Sequence, residues 1–357
     1  MPESHNFQAS HLHSIVRRLF VAAGTPLRIA QDVAEILVNA NLAGHDSHGV
    51  LRIPGYLQGI EGGSLNPTAE PVVIKETDTT LIVDGGNCLG HFAARQAMKW
   101  TIAKAKQANF CGLTLASTGH IGRLGEYTEA ATREGCIGIV TFGSGCGGAG
   151  AVVPFGGSKG GLGTNPIAVG VPTGDDSPFI IDYATSMIAQ GKIQVAQSKG
   201  IDLPEGSILD KHGNPSVKTA DYFDGGPMLP FGGHKGYALS LLVCMLGGLS
   251  GNFDVEKGLM QGFFMQAINI EAYTPLEEYQ QGVRALLDGM KRTPPAPGFD
   301  EVLVPGDFEY RARTHRLVHG IDLPDAIYRQ ICQCAEKLSV SMDDDATEEI
   351  DRQIYAT

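Results

Sequence analysis

Thr80-Leu81-Ile82-Val83-Asp84, then Phe92 to Ala108 with Ala94, Met98, Ile102 and Ala105 in one stripe, then Cys111-Gly112-Leu113-Thr114-Leu115-Ala116, is the run that decides the fold. The outer pieces are short and apolar, as strands are, while the middle repeats its apolar residues every three or four positions, as one face of a helix does. Strand, helix, strand is the βαβ unit of an α/β sheet, because parallel neighbours need a crossover long enough to return the chain. A short helix from Thr128 to Glu134 and a strand from Cys136 to Phe142 continue the alternation. Further strands are predicted at 167–171, 179–182 and 262–270, with helices from Thr185 and from Tyr237 to Leu246.

Upstream of this run the pattern is helical. Ser10 is placed to cap a helix carrying Leu12, Ile15, Val16, Leu19 and Phe20 and stopped by Gly24. A second helix starts at Pro26, buries Ile29, Val33, Ile36, Leu37 and Ala40, and ends near Gly44. Downstream, Thr293 to Pro297 is a Pro-rich connection, and Asp322-Leu323-Pro324 opens a last helix with Ile327, Ile331, Cys334 and Leu338 inward. The acidic tail after Val340 is poor in core residues and is expected to be loosely held.

The 357 residues carry a formal net charge of −12, which argues against nucleic acid or an anionic membrane as partner. No apolar run approaches the length of a membrane span, and the N-terminus lacks a basic-then-apolar leader pattern. Seven cysteines, an odd number without a paired framework, fit reduced thiols in a soluble cytoplasmic protein.

Three segments carry chemistry. Gly143-Ser144-Gly145-Cys146-Gly147-Gly148 is a literal G-x-G-x-x-G after a predicted strand, but the β-branched, Pro-interrupted stretch that follows cannot open the helix such a fingerprint needs. It reads as a glycine-rich loop. Gly232-Gly233-His234-Lys235-Gly236 is a better anion site, since it opens an apolar helix whose first N–H groups and Lys235 would face a phosphate. The richest segment runs from Gly44 to Tyr56 and holds His45, Asp46, Ser47, His48, Arg52 and Tyr56. If it is helical, His48, Arg52 and Tyr56 share a face, although Pro54 would kink that helix. Three readings stay open for it. An imidazole could exchange a proton with Arg52 clamping a carboxylate; His45, Asp46 and His48 could ligate a metal; or Asp46 and Arg52 could simply pair.

Taken in order, Ala43 to Gly49, Gly119-His120-Ile121-Gly122, Pro154 to Gly157, Gly163-Thr164-Asn165-Pro166, Asp182 to Ser186, His234-Lys235-Gly236 and Pro305-Gly306-Asp307 resemble the malate/L-lactate dehydrogenase family, closest to its hydroxycarboxylate dehydrogenase B branch. The resemblance runs from about Ser10 to Val340. It implies an oxidoreductase that passes hydride between NAD, or alternatively NADP, and a 2-hydroxy acid. The implied fold is a non-Rossmann dinucleotide-binding α/β domain with a mixed sheet, flanked by a helical domain from the N- and C-terminal segments, usually in a homodimer. The segments would be 1–76, 77–300 for the cofactor domain, 301–340 packing back on the first, and 341–357 as the tail.

Residue by residue, His48 would be the proton donor and acceptor with Ser47 as its relay, and His120 matches a position given the acid–base role in other members. Arg52 and Thr164 match substrate contacts, and Tyr56 is placed with them. Gly122, Arg123, Leu124, Ile181, Asp182, Tyr183, Ala184, His234, Lys235, Pro305, Gly306 and Asp307 match cofactor contacts, joined by Asn269 and by His48 itself; no metal is implied. Lys192 stands where imine-reducing members carry an acid, which favours an oxo acid over a cyclic imine. Cys244 stands where relatives carry Glu, and nothing in the sequence explains it.

Overall fold

The computed structural model describes residues 4–145 and 150–355. Helices Ala9–Ala22 and Leu27–Leu42 form as their spacing demands. Their apolar faces meet Ile53 and Tyr56 from the next helix and Ile321, Leu323, Ile331 and Ala335 from near the end of the chain, in one shared core. The N- and C-terminal segments therefore bury each other's hydrophobic surface. The strand Ser4–Phe7, absent from the sequence reading, pairs antiparallel with Ile321–Pro324. That pairing corrects the start of the last helix to Asp325–Leu338, because Asp322 to Pro324 are held extended by a partner at the other end of the chain.

An eight-stranded mixed sheet forms the second body. Thr80–Cys88, helix Gly90–Ala108 and Phe110–Thr118 make the expected parallel βαβ unit. The late strand Leu259–Asn269 then inserts between Phe110–Thr118 and Cys136–Gly145, antiparallel to both. The second crossover, helix Gly125–Arg133, thus joins parallel strands that do not touch. Ile167–Val171 and Phe179–Tyr183 complete that edge, both antiparallel. Leu113, Leu115, Val140, Met265 and Ala267 pack with Ala94, Met98 and Ala131 into the core between sheet and helices. This mixed order is not that of a doubly wound parallel sheet.

A third, smaller cluster gathers Val152, Leu162, Ile193, Met228 and Cys244. The strand before the G-x-G-x-x-G string runs through Gly145, and Val152 bridges Leu162 and Met228; Cys146, Gly147 and Gly148 lie outside the described residues. The helix expected from Thr185 starts only at Gln190, because Thr185 is pinned by bonds to the Thr164 and Phe231 backbones. Helices Leu276–Lys291 and Asp307–His319 were not foreseen.

The tail is a second correction. Helix Glu349–Ile354 docks on the first helix, where the fully buried Asp351 accepts from His13 Nδ1 at 2.7 Å and from Arg17 Nε and Nη2 at 3.0 Å. Buried hydrogen bonds to Arg17 and His13 hold this segment alongside the packing of Met342 and Tyr355 on the core, which is why hydropathy alone failed to show it. No helix among the described residues is long and apolar enough to cross a membrane.

Candidate active site

The Gly44–Tyr56 segment enters the site as two short 3₁₀ turns, Asp46–His48 and Val50–Arg52, followed by helix Ile53–Glu61. Pro54 falls in the first turn of that helix, where its missing N–H costs nothing, so the expected kink does not arise. What fixes the turns is Asn41, whose Oδ1 accepts from Val50 N at 2.9 Å and whose Nδ2 donates to Asp46 at 2.6 Å. Gly49 is required there, because a Cβ would sit 2.1 Å from Asn41 Oδ1. Asp46 also takes a two-point contact from Arg316, at 2.7 and 3.0 Å, and not from Arg52. His45 Nε2 is turned to Glu309 at 2.9 Å. His45, Asp46 and His48 therefore do not converge, and no group of three or more candidate metal ligands exists among the described residues.

With its neighbours committed, His48 is left facing the cleft. Its Nδ1 lies 2.9 Å from Ser47 Oγ, and its ring stacks on His120 with centroids 5.7 Å apart and planes 21° off parallel. His120 follows the strand Phe110–Thr118, at the carboxyl edge where open sheets place ligands. Its Nδ1 is 2.7 Å from Tyr56 Oη and 3.3 Å from the Gly122 backbone nitrogen. Tyr56, placed with the substrate contacts by the resemblance, is buried and bonded to His120, so it supports the site from behind. Arg52 donates Nε to the Ser47 carbonyl at 2.7 Å and has no carboxylate partner among the described residues. Its terminal nitrogens are free for an anion.

Burial, then the charges of His120 and Arg52, lower His48 to about 3. Burial, then Arg52, lowers His120 to about 4, although the residue is exposed to solvent and that access blunts the effect. Both rings are neutral at pH 7. A third histidine completes the cluster. His91, 1% exposed at the start of helix Gly90–Ala108, meets Tyr56 edge-on at 5.1 Å and His120 at 6.4 Å. Complete burial holds it well below the usual imidazole range. Sequence reading began that helix at Phe92 and so left His91 out. The signal was Gly90, where a Cβ would lie 2.2 Å from the Gly119 carbonyl, so the helix start must press against the His120 loop.

The matched cofactor residues divide into two groups. His234 and Lys235 open helix His234–Gly248 behind Gly232 and Gly233, both at positive φ, and both side chains are exposed with Lys235 unpaired among the described residues. Backbone bonds join Thr164, Thr185 and Phe231, bringing Gly163–Asn165, Asp182–Ala184 and Gly232–Lys235 into one layer. The Thr164 carbonyl accepts from the Thr185 hydroxyl, its own hydroxyl has no bond among the described residues, and Tyr183 is exposed with its ring against Phe231. Ile181 and Ala184 flank these residues half-buried, whereas Gly122 and Leu124 are buried, Leu124 in the core between sheet and helices.

The second group is committed elsewhere. Arg123 is 2% exposed and bound to Glu129, so its charge is spent inside the protein. Asp182 accepts from Gly125 N at 2.7 Å and caps that helix; burial raises its pKa. Asp307 bonds Lys291 at 2.7 Å and Val304 N at 3.0 Å, while Gly306 sits against the Pro178 carbonyl and Pro305 accepts from Ile180 N. That loop fastens the Phe179–Tyr183 strand. Asn269 stands opposite Cys136, the first residue of its strand, and so at the other end of the sheet from His120, with its amide on Lys106. The structure does not bring it to the cluster.

A neutral histidine pair beside an unpaired guanidinium, with a glycine-opened helix start nearby, is suited to moving a proton on an anionic substrate while a phosphate-bearing cofactor is held. Known proteins carry the same arrangement of chain. The profile of the malate/L-lactate dehydrogenase family matches residues 7–332. Malate dehydrogenase of Pyrococcus horikoshii is 35% identical over 344 residues, 92% of this chain and 94% of its own. Hydroxycarboxylate dehydrogenase B of Escherichia coli O157:H7 is 34% identical over 350 residues, 95% of this chain and 96% of its own. The crystal structure of malate dehydrogenase from Entamoeba histolytica superposes with a TM-score of 0.89 at 28% identity, covering 95% of this chain and 99% of that one. These are names of 2-hydroxy-acid dehydrogenases, and the imine-reducing alternative is not favoured. Matched along almost its whole length, this chain belongs to the malate/L-lactate dehydrogenase family.

Proposed function

We propose that the cleft binds a 2-hydroxy or 2-oxo acid with its carboxylate on Arg52 and its reacting oxygen between His48 and His120. The reaction class is that of a dehydrogenase. The observation that carries this reading is two imidazoles stacked at 5.7 Å, neither with a partner on Nε2 among the described residues, beside an arginine with no carboxylate among them. Thr164, with its hydroxyl unbonded, joins the substrate side. Lys192, exposed in the first turn of a helix whose Gly191 packs on Ser47, and also unpaired among the described residues, fits an anionic oxo acid better than an imine.

The residues present fit a nicotinamide dinucleotide. A Cβ at Gly232 would meet open space, so backbone can approach a ligand there, and the helix start and Lys235 suit a pyrophosphate. When bound, that group accepts or returns the hydride. Ser47 and Tyr56 orient the imidazoles, and Arg52 orients the acid. His234, Lys235, Tyr183 and the backbone of Gly122 to Leu124 are the proposed cofactor contacts. NAD is preferred over NADP on the family likeness. Following NADH and NADPH absorbance with a panel of 2-oxo acids and one cyclic imine tests all of this. Turnover of neither cofactor with any oxo acid would sink the reading.

The chain also reads as a homodimer in the cytoplasm. Ala238, Leu242, Met245 and Leu249 form an uncovered apolar stripe on helix His234–Gly248, with Leu242, Met245 and Leu249 52–59% exposed. A helix apolar on all sides is stable in water only when covered, and a second copy supplies the cover. A mass measured in solution at micromolar concentration should equal twice that of the chain. The segments 1–76, 77–300 and 301–340 serve as working domain limits.

A further inference from the structure

Helix Asp307–His319 turns a polar face inward, and that face touches the two 3₁₀ turns that carry His48. At the helix start, Pro305 accepts from Ile180 N, and a Cβ on Gly306 would lie 2.3 Å from the Pro178 carbonyl. The helix therefore begins pressed against the strand Phe179–Tyr183. Further along, Phe308 and Ala312 close on Gly44, where a Cβ would lie 2.8 Å from the Phe308 ring, and Glu309 holds His45. Arg316 ends the row. Its Nη1 and Nη2 meet the two carboxylate oxygens of Asp46 at 2.7 and 3.0 Å, and Nη1 also donates to the Asn41 carbonyl. Phe308, Ala312 and Arg316 stand four apart, on one side of the helix. Arg311 points elsewhere and pairs with Glu301, both of them exposed.

The Arg316–Asp46 contact is half open to water, with side chains 24% and 49% exposed, and pairs so exposed add little to global stability. Its geometry is nonetheless specific. A planar fork across one carboxylate, with a further bond to a backbone carbonyl, is a contact that arginine makes and lysine cannot. Both partners bear on the turns, since Asp46 stands two residues before His48 and Asn41 binds Asp46 and Val50 N. Resting on the dehydrogenase reading, we infer that helix Asp307–His319 is a strut registering the histidine side of the site against the cofactor side, with Arg316 as its positioning residue. The reacting carbon must fit between an imidazole and the nicotinamide, and a misplacement of about 1 Å costs about 100-fold in rate. One rigid helix about 20 Å long, fastened at its start to the strand and along its side to the turns, sets that separation. Arg316 acts on His48 only through Asp46 and Asn41.

The test uses the full-length protein in two arms. Arg316→Met leaves Asp46 in contact with water and Asn41, and the Asn41 carbonyl keeps its bond from Gly44 N at 2.9 Å, so the fold should survive. In the kinetic arm this variant should lose about 10- to 100-fold in kcat, with the KM for NADH hardly changed. Arg316→Lys keeps the charge without the fork and should recover only part of that loss. Asp46→Asn breaks the same contact, so the double variant should lose no more than the worse single one. Arg311→Met, off the gripping face, should keep the parent kcat. The second arm needs no substrate. Amide hydrogen exchange over residues 45–52 should quicken about 5-fold in Arg316→Met, while residues 12–20 exchange as in the parent. A parent-like kcat in Arg316→Met overturns the proposal, as do multiplying losses in the double variant. A fall in kcat with exchange over 45–52 unchanged, or one matched by a general loss of stability, overturns it too. Inactivity of the unmodified protein towards every oxo acid would instead remove the dehydrogenase reading, with exchange still deciding whether Arg316 holds the turns.

Discussion

The segments Gly44–Tyr56 and Asp343–Tyr355 look alike as strings, short and dense in polar side chains, yet they do opposite work. In the tail the buried charge is fully partnered. Asp351 is fully buried under His13 and Arg17, and Glu348 adds a second contact to Arg17 at 3.1 Å. In the site segment, Asp46 and His45 are similarly satisfied, but Arg52, His48 Nε2 and the Ser47 hydroxyl keep capacity in reserve. Committed polar groups hold a fold together; uncommitted ones await a ligand. The distinction is one of partners, not composition.

Substitutions that remove one partner should separate the two regions. Asp351→Ala leaves the buried Arg17 with only the exposed Glu348 and leaves His13 Nδ1 without its acceptor, and should cost about 3–5 kcal/mol of stability, read by denaturant unfolding. Its KM for the oxo acid should stay near that of the parent, and a stable Asp351→Ala protein would show the tail to be as dispensable as its composition suggested. Arg52→Met should do the reverse. It should lower kcat/KM about 100-fold, as the loss of a charge-assisted bond of about 3 kcal/mol does, while unfolding is hardly changed because no carboxylate pairs with Arg52. Full activity in Arg52→Met would take the carboxylate clamp away from this residue.

Gly49→Ala lies between the regions in effect. Its methyl must displace Asn41, the residue that shapes both turns, at a cost of about 1–3 kcal/mol, and kcat should fall with stability in the same variant. Acid should act on the buried histidines without any substitution. Burial depresses His48 and His91 in the folded state, so the unfolded chain binds protons first as pH drops below about 6.5. Stability is then lost as pH falls towards the folded value, about 3 for His48. The thermal midpoint should decline progressively from pH 7 to pH 4, and a midpoint flat over that range would mean these rings are not held neutral.

Much of the frame was legible beforehand. The helices at 9–22 and 27–42 and the βαβ unit from Thr80 rest on periodicity, a property of neighbours in sequence. The residues Ser47, His48, Arg52 and His120 stood out because apolar packing has no use for them at a helix end or past a strand. Illegible were the contacts made across long stretches of chain. Nothing near Leu259–Asn269 says that it will separate two strands that a crossover joins. Nothing near Asp322 announces a strand partner at Ser4–Phe7. His91 was passed over because its role comes from the His120 loop it presses against.

By itself, then, the sequence determined the element types and the chemical kinds at the site, since propensity and reactivity belong to residues and their near neighbours. Only the tertiary structure decided which of those groups are spent. Arg123, Asp182 and Asp307 matched a binding pattern as plainly as Lys235 did, and three of the four turned out to be bound inside the protein. The same holds for the paired histidines, alike in type and set apart by a tyrosine hydroxyl on one and a serine hydroxyl on the other. The reason is physical. A side chain's pKa, tautomer and availability are set by whatever occupies the few ångströms around it, and folding brings that neighbourhood together from distant parts of the chain.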